Sequence, residues 1–200
     1  RLMTKKEQSV AFAKTQLAFG TAGIRAKMGP GTQYLNEFVY KQMTIGYCRY
    51  ILSKKYKSPT IMIGHDNRLY SKEFAQTCAE TALAMGVNVF LMQDNKIIAT
   101  PILSYCIRKH KLHGGINVTA SHNPKEYNGF KAYNKIGAQV LDDDANQIIK
   151  FMPASNEILS LDKYLNAKKK GKLHYLPYQL TITRFFDAVV NSTVINVPFL

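Results

Sequence analysis

Residues 115–124 of this 200-residue chain read Gly115-Ile116-Asn117-Val118-Thr119-Ala120-Ser121-His122-Asn123-Pro124. The first four residues form a largely apolar run that is typical of a buried strand. Pro124 cannot continue a central strand, because it has no backbone N–H to donate, and it biases Asn123 away from the helical region. The chain is therefore predicted to turn sharply at Ser121. A serine hydroxyl at a strand end, beside loop amides and His122, suits phosphate chemistry.

A second polar segment follows a few residues later, with the sequence Asn128-Gly129-Phe130-Lys131. The glycine permits a close backbone approach, and Lys131 supplies a positive charge. The two segments together predict an anion-binding site near Ser121.

Strand and helix patterns alternate upstream of this site. Apolar runs predict buried strands at residues 60–64 and 87–91. Helical spacing and capping residues predict three helices, which run from Asn36 to about Lys55, from Ser71 to Met85 and from Thr100 to His110, with Asn36, Ser71 and Thr100 as N-caps. This βαβ alternation predicts an α/β fold, with a mixed, mostly parallel sheet and helices on both faces.

Ligands of such sheets bind beyond the carboxyl ends of the strands. Asp66, residues 93–98 and Ser121 all fall at the carboxyl ends of predicted strands. We therefore expect these three parts of the chain to meet at one edge of the sheet.

The remainder of the chain predicts a domain boundary. Residues 127–133 and 138–141 are interpreted as a hairpin or a pair of short strands, followed by a helix that opens at Asp142-Asp143-Asp144. Residues 1–165 would form the first α/β domain, and the Lys/Gly-rich residues 166–176 a linker. Residues 177–200 combine a helical pattern with an apolar strand from Thr193, so they are predicted to begin a second, similar domain.

Composition narrows the class of protein. With 46% hydrophobic and 20% charged residues, the chain is an ordinary globular protein. Its net charge of +14 attracts anions of any kind, without choosing among phosphosugars, nucleic acid and acidic membranes. No apolar run reaches the length of a membrane span, so no membrane partner is expected. The odd number of cysteines, without a C-x-x-C pair, predicts buried thiols in a reducing cytoplasm.

Three motifs carry a family resemblance. Residues 119–124 with 127–131 resemble the phosphoserine loop of the α-D-phosphohexomutases, the phosphoglucomutase/phosphomannomutase superfamily. Residues 19–25, Phe-Gly-Thr-Ala-Gly-Ile-Arg, are similar to the family's opening F-G-T-x-G-x-R motif, and residues 64–68 to its G-x-D-x-R motif. The extension at residues 26–31 is similar to the branch that holds phosphopentomutase-like members. All three motifs occur in the family's order.

The resemblance implies a mutase that moves a phosphoryl group between the 1-position and the 6-position of a hexose, or the 5-position of a pentose. The transfer would pass through a bisphosphate intermediate, with Ser121 as the phosphoserine. The family's catalytic residues would be Ser121, His122, Lys131 and Arg25, and its phosphate-binding residues Thr21, Gly23, Arg25, Asn123 and Lys131. The division of acid and base roles between His122 and Lys131 stays open.

The resemblance also implies Mg²⁺, held here only through the phosphate on Ser121, and an activator of the glucose 1,6-bisphosphate type. The family's D-x-D-x-D-R metal loop is missing, since residues 142–144 are contiguous aspartates and are better explained by a helix N-terminus. His110 and His113 lack a third ligand for zinc. The sugar-recognition and distal phosphate loops are missing too. We therefore expect this fragment to be inactive alone, and its partners to be a phosphosugar and the missing C-terminal domains.

Three other functions compete with the mutase. A nucleic-acid-binding module would fit the charge, but the chain lacks interleaved aromatic and basic residues, so no nucleic-acid partner is expected. A serine hydrolase would need a G-x-S-x-G elbow, which residues 119–123 do not form. A non-catalytic regulatory domain that kept the fold remains an alternative.

Overall fold

The computed structural model describes residues 4–11, 17, 23–154 and 170–192. Within these ranges the chain forms six strands, β1 to β6 in chain order, with the bounds Ile24–Lys27, Thr60–His65, Asn88–Met92, Gly114–Val118, Tyr127–Asn134 and Leu173–Leu176. It also forms six α-helices, α1 to α6, with the bounds Lys5–Ala11, Glu37–Ser53, Ser71–Ala84, Thr100–Lys109, Asp142–Phe151 and Tyr178–Ser192.

All six strands belong to one sheet, in the order β1-β5-β4-β2-β3-β6. The pairings of β4 with β2, β2 with β3 and β3 with β6 are parallel, whereas β5 is antiparallel to both β1 and β4. This arrangement confirms the predicted mixed, mostly parallel sheet. The predicted buried strands are confirmed within one residue at each end.

Helices cover both faces of the sheet, as predicted. One face packs against α2, α3 and α5, and its core contains the fully buried side chains of Tyr40 and Phe130 together with Val118. The other face packs against α4 and α6 around Met62 and Leu103. Because side chains alternate along a strand, the strand residues between these core positions lie on the α4 face.

Of the three predicted N-caps, one agrees with the structure and two do not. Asn36 caps α2, since its side-chain oxygen accepts from Val39 N. The prediction that Ser71 caps α3 is wrong, because Ser71 is the first helical residue and Tyr70 precedes it with a φ of 60°. The prediction that Thr100 caps α4 is also wrong, because Ala99 holds that position. In both cases the helix begins one residue earlier than the side chains suggested.

Pairing at the sheet edges was not foreseen. Residues 24–27, which the sequence left without an element, pair as β1 with β5. The last four residues of the predicted linker form β6, which pairs with β3. The predicted strand at residues 138–141 shrinks to one bridge, between Tyr133 and Gln139.

The C-terminal helix lies where the sequence predicted it. Helix α6 packs against α4, with the rings of Tyr105 and Phe185 5.6 Å apart in an edge-to-face arrangement. The predicted strand from Thr193 lies outside the described residues, and the division into two domains remains a prediction. Among the described helices, none is long and apolar enough to cross a membrane.

The three cysteines are buried and unbridged, as predicted. Burial raises the pKa of both Cys78 and Cys106 to about 12. These thiols are therefore poor nucleophiles at neutral pH.

The packing of Phe130 gives a first testable prediction. Its ring is fully buried and lies 6.2 Å from the ring of Tyr40. Truncation of this side chain in Phe130→Ala should lower the free energy of unfolding by about 3–5 kcal/mol, because it leaves a cavity at the centre of the sheet. Urea unfolding would measure the loss. The control Ile136→Ala, at an exposed turn, should change stability little; an equal loss in both variants would contradict this packing.

Candidate functional site

Ser121 lies just beyond the carboxyl end of β4, where the chain turns as predicted. Its backbone is left-handed, with a φ of 59°, and the residue is exposed. The N–H of Ser121 donates to Thr119 Oγ1 at 3.0 Å, and the N–H of Asn123 donates to Ala120 O at 3.2 Å. A left-handed conformation is unfavourable for a residue with a Cβ. Neighbouring contacts must therefore hold this turn.

Arg68 supplies the largest set of those contacts. Its guanidinium donates to the carbonyl oxygens of four loop residues, namely Ser121 at 2.6 Å, Asn123 at 2.6 Å, Pro124 at 2.9 Å and Tyr127 at 3.2 Å. These acceptors lie on both sides of the loop at residues 121–127. One side chain therefore donates to carbonyl groups along the length of the loop, one of which, Pro124 O, also accepts from Tyr127 N at 3.0 Å.

A chain of hydrogen bonds connects Arg68 to the core. Asp66 forms an ion pair with Arg68 Nε at 3.3 Å, and its other oxygen accepts from Ser71 Oγ at 2.7 Å. Ser71 Oγ accepts in turn from the fully buried Asn128, whose side-chain oxygen accepts from Tyr40 OH. The phosphoserine-like loop is thereby tied to helices α2 and α3 and to strand β5.

Two cationic side chains lie beneath the loop on the α4 face of the sheet. Arg25 Nη1 donates to Asn123 Oδ1 at 3.3 Å, while its Nε is buried and finds no partner in the part of the chain that the structure describes. Lys131, at 7% exposure, makes no hydrogen bond or ion pair with the described residues. Burial lowers the pKa of Lys131, the nearby charge of Arg25 lowers it further, and Asp66 partly offsets both. Two incompletely paired cations therefore lie close to each other, and one of them contacts the loop that contains Ser121.

The other predicted site residues take different positions. His122 is exposed in the loop, with its Nδ1 3.4 Å from Ser121 Oγ. Gly23 has a φ of 87°, and a Cβ there would overlap the carbonyl oxygen of Phe130, so the glycine allows β1 to lie against β5. Thr21 lies outside the described residues.

A cleft of about 800 Å³ opens along this edge of the sheet. Its walls are formed by residues from the ends of β2 and β4, the start of α4 and the loop, namely Asp66, Asn67, Arg68, Leu69, Ile98, Ala99, Thr100, Asn117, Thr119, Ser121, Asn123 and Lys125. Asp66, Ile98 and Ser121 therefore meet as predicted, whereas Gln93 and Asn95 line a separate cavity. The cleft is large enough for a phosphosugar beside Ser121.

Metal ligands are sparse in the described residues, which contain no group of three or more His, Cys, Asp or Glu side chains placed to hold an ion. Asp142, Asp143 and Asp144 lie in the first turn of α5, as predicted. The carboxylate of Asp66 is engaged by Arg68 and Ser71. A phosphate on Ser121 would therefore be the ligand that this part of the chain can offer to Mg²⁺, and it fits a cation that keeps most of its waters.

Sequence reasoning missed the functional contacts of Arg68 and Asn128. Both residues stand inside quoted motifs, but local pattern carried no signal for bonds that join positions 53 to 59 apart in the chain. Only the pairing of the strands brings these positions together.

The conformation of Gly23 gives a second prediction. Gly23→Ala combines a left-handed backbone, which costs about 1–2 kcal/mol, with an overlap against Phe130 O. The loss in free energy of unfolding should therefore exceed about 2 kcal/mol, measured by urea unfolding. Gly86→Ala is the matched control, because Gly86 also has a positive φ but lies at the end of α3; a larger loss for Gly86→Ala would contradict the role of the β1–β5 contact.

The burial of Lys131 gives a third prediction. Its side-chain pKa, followed by NMR and assigned with Lys131→Arg, should lie below the ordinary value of 10.5. Between the lowered pKa and 10.5 the unfolded chain binds more protons than the folded one, so stability should rise with pH relative to Lys131→Met. A pKa at or above 10.5, or a relative stability that falls with pH, would contradict the burial of this ammonium group.

Comparison with known proteins shows the family and the fold of this chain. A family model described as phosphoglucomutase/phosphomannomutase, alpha/beta/alpha domain I, matches residues 16–158. A phosphomannomutase of Mycoplasmoides pirum is 40% identical over 160 residues, which cover 80% of this chain and 29% of that protein. A phosphoglucomutase of Staphylococcus aureus (strain USA300) is 34% identical over 192 residues, which cover 96% of this chain and 34% of that protein.

A solved structure of a phosphomannomutase-like protein from Thermus thermophilus shares the fold. It matches with a TM-score of 0.71 at 24% identity, covering 88% of this chain and 36% of that chain. The chain thus spans about a third of the length of these relatives. On the family match and the shared fold, the chain belongs to the phosphoglucomutase/phosphomannomutase superfamily and carries its N-terminal α/β/α domain.

Proposed function

We propose that this chain is the phosphoryl-carrying part of a phosphosugar mutase, with Ser121 as the phosphoserine. The observation that supports this most strongly is the position of Ser121, exposed on a left-handed turn in the cleft wall, in a loop that Arg25 contacts at Asn123 with Lys131 close to Arg25. A serine used only to shape a turn would not need a buried lysine nearby that forms no ion pair with the described residues. The whole protein's activity is part of the same proposal.

The proposed reaction has two transfers. In the first, the bond between phosphorus and Ser121 Oγ breaks, a free hydroxyl of the phosphosugar attacks phosphorus, and its proton passes to a base. The product is a bisphosphate and an unmodified serine, which receives the proton. In the second transfer Ser121 Oγ gives its proton to the base and attacks the phosphorus of the other phosphate of the turned bisphosphate. The bond between that phosphorus and the sugar oxygen breaks, and the sugar oxygen takes up the proton. Each cycle thus moves one phosphoryl group between the 1-position and the 6- or 5-position and restores the phosphoserine.

Arg25 and Lys131 are placed to spread the charge that builds on the transferred group. Catalysis of phosphoryl transfer depends mainly on positioning and on such charge stabilisation. Lys131 is incompletely paired in the described structure, so it needs to break no ion pair before it meets a phosphate. A phosphate at Ser121 would also offset the cost of burying the Lys131 ammonium group. The pKa of Lys131 would then rise again.

Two groups can serve as the proton acceptor. His122 Nδ1 lies 3.4 Å from Ser121 Oγ, and an imidazole nitrogen without a hydrogen can accept a proton. Lys131 is the second candidate, because burial lowers its pKa and increases the fraction of the neutral amine, which can accept a proton. The pH profiles of His122→Gln and Lys131→Met in the full-length enzyme separate the two roles.

Mg²⁺ would supply a Lewis acid that draws charge from the phosphoryl group. In this chain the phosphate on Ser121 would hold it, and the remaining ligands are expected elsewhere in the longer polypeptide. An activator of the glucose 1,6-bisphosphate type would return the phosphate to a Ser121 that has lost it.

The proposed substrate class is a phosphosugar. The relatives are named for mannose and glucose, and the extension at residues 26–31 leaves a pentose phosphate as an alternative substrate. The buried thiols support a cytoplasmic location.

The role of Ser121 as the carrier of the phosphoryl group gives a fourth prediction. In the full-length polypeptide, Ser121→Ala should lower mutase activity by at least about 10³-fold, because the phosphoryl group loses its covalent carrier. Intact-mass analysis should show about 80 Da of phosphate on the wild-type protein and none on the variant. Ser9→Ala, an exposed serine on α1, is the control and should keep both. Full activity in Ser121→Ala would rule out the proposed function.

A further inference from the structure

We propose that Arg68 is a positioning residue for the phosphoserine, and that its guanidinium sets the direction of the Ser121 hydroxyl while its nitrogens remain bonded to the protein and not to the sugar. This proposal rests on the proposed function of Ser121. The family resemblance gives Arg68 only a place in the G-x-D-x-R motif, with no role in the reaction.

The first support is the number and direction of the bonds. Four carbonyl oxygens, spread over residues 121–127, accept from the two terminal nitrogens of one guanidinium at 2.6–3.2 Å. Hydrogen bonds to a charged group stabilise a fold more than those between neutral groups. The conformation of the loop is therefore held by one cationic side chain, whereas helices and strands are held by regular backbone hydrogen bonds.

The second support is the conformation of Ser121 itself. The carbonyl of Ser121 is one of the two shortest acceptors, at 2.6 Å. The direction of a carbonyl group fixes the ψ of its own residue, and here the same residue has the unfavourable φ of 59°. Without Arg68 the backbone is free to relax toward a negative φ, which would turn the hydroxyl away from the cleft.

The third support is the way Arg68 is held. Its side chain is only 13% exposed, and Asp66 contacts both Nε, at 3.3 Å, and the backbone N–H, at 3.0 Å. The carboxylate is fixed in turn by Ser71 Oγ. A planar guanidinium held on its Nε side presents its two terminal nitrogens as a fixed fork, whereas a lysine ammonium is a single point charge with no such plane. Four acceptors in these directions therefore select arginine over lysine.

The experiment compares Arg68→Ala, Arg68→Lys and a surface control, Arg108→Ala, in the full-length polypeptide. Arg108 is exposed and donates to Ser104 Oγ, away from the loop. Amide hydrogen exchange of residues 119–127 reports loop order without any need for activity, and circular dichroism checks that each variant folds. Steady-state kinetics and the phosphate content of Ser121 report the reaction.

We expect exchange of the loop amides to rise at least about tenfold in both Arg68 variants, and kcat to fall by about 10²-fold, since small misplacements of a reacting group have effects of that size. KM for the phosphosugar should stay within about twofold, because the guanidinium nitrogens of Arg68 are already engaged by Asp66 and by the loop carbonyls, although the residue lines the cleft. Added methylguanidinium should restore part of kcat in Arg68→Ala, and methylammonium should not, because only the planar ion reproduces the fork. Arg108→Ala should change none of these values.

Unchanged exchange in the loop of a folded Arg68→Lys would overturn the proposal, and so would unchanged kcat despite faster exchange. A loss of kcat with an ordered loop would show a direct role instead and would also overturn it. A wild-type protein without mutase activity or phosphoserine would refute the proposed function, and the exchange comparison alone would then decide whether Arg68 holds the loop.

Discussion

The site depends on one set of hydrogen bonds, in which a single guanidinium, on a side chain that is 13% exposed, donates to four backbone carbonyls of one loop. The chain leaves the central strand β4 at Thr119 and cannot continue into a ladder, because Pro124 follows. Its carbonyl oxygens need donors, and Arg68 supplies bonds to four of them. The left-handed turn at Ser121 is tolerable because these bonds form together with the bond from Ser121 N to Thr119 Oγ1.

The mixed sheet explains why these groups meet. The parallel strands β2 and β4 lie side by side, so their carboxyl ends place Asp66 and Arg68 next to the loop after β4. The antiparallel strand β5 then returns along β4 and sets Lys131 opposite Asn117. Strand β1 pairs with β5 and sets Arg25 opposite Gly129, on the same face of the sheet. Cations from two strands thus arrive under one serine, although they are far apart in the sequence.

The structural features that depend on a few neighbouring residues could be predicted from the sequence. Asn36 as a cap, the strand before Thr119 and the turn at Ser121 were predictable, because propensity and proline sterics act over a few residues. The family resemblance identified Ser121, Arg25 and Lys131 as candidates, and the structure places Arg25 and Lys131 beneath the loop that holds Ser121. The edge strands β1 and β6 were not predictable from pattern, because short exposed strands gain their stability from a distant partner. The bonds of Arg68 were missed for the same reason.

The central claim is that Ser121 carries the phosphoryl group during turnover, and rapid-quench labelling of the full-length enzyme tests it most directly. The dephosphorylated enzyme would be mixed with a bisphosphate labelled in both phosphates, quenched within one turnover and digested for peptide analysis. The account predicts that label reaches the peptide containing Ser121 at least as fast as product forms. Label that appears on that peptide more slowly than product, or on another residue, would contradict it.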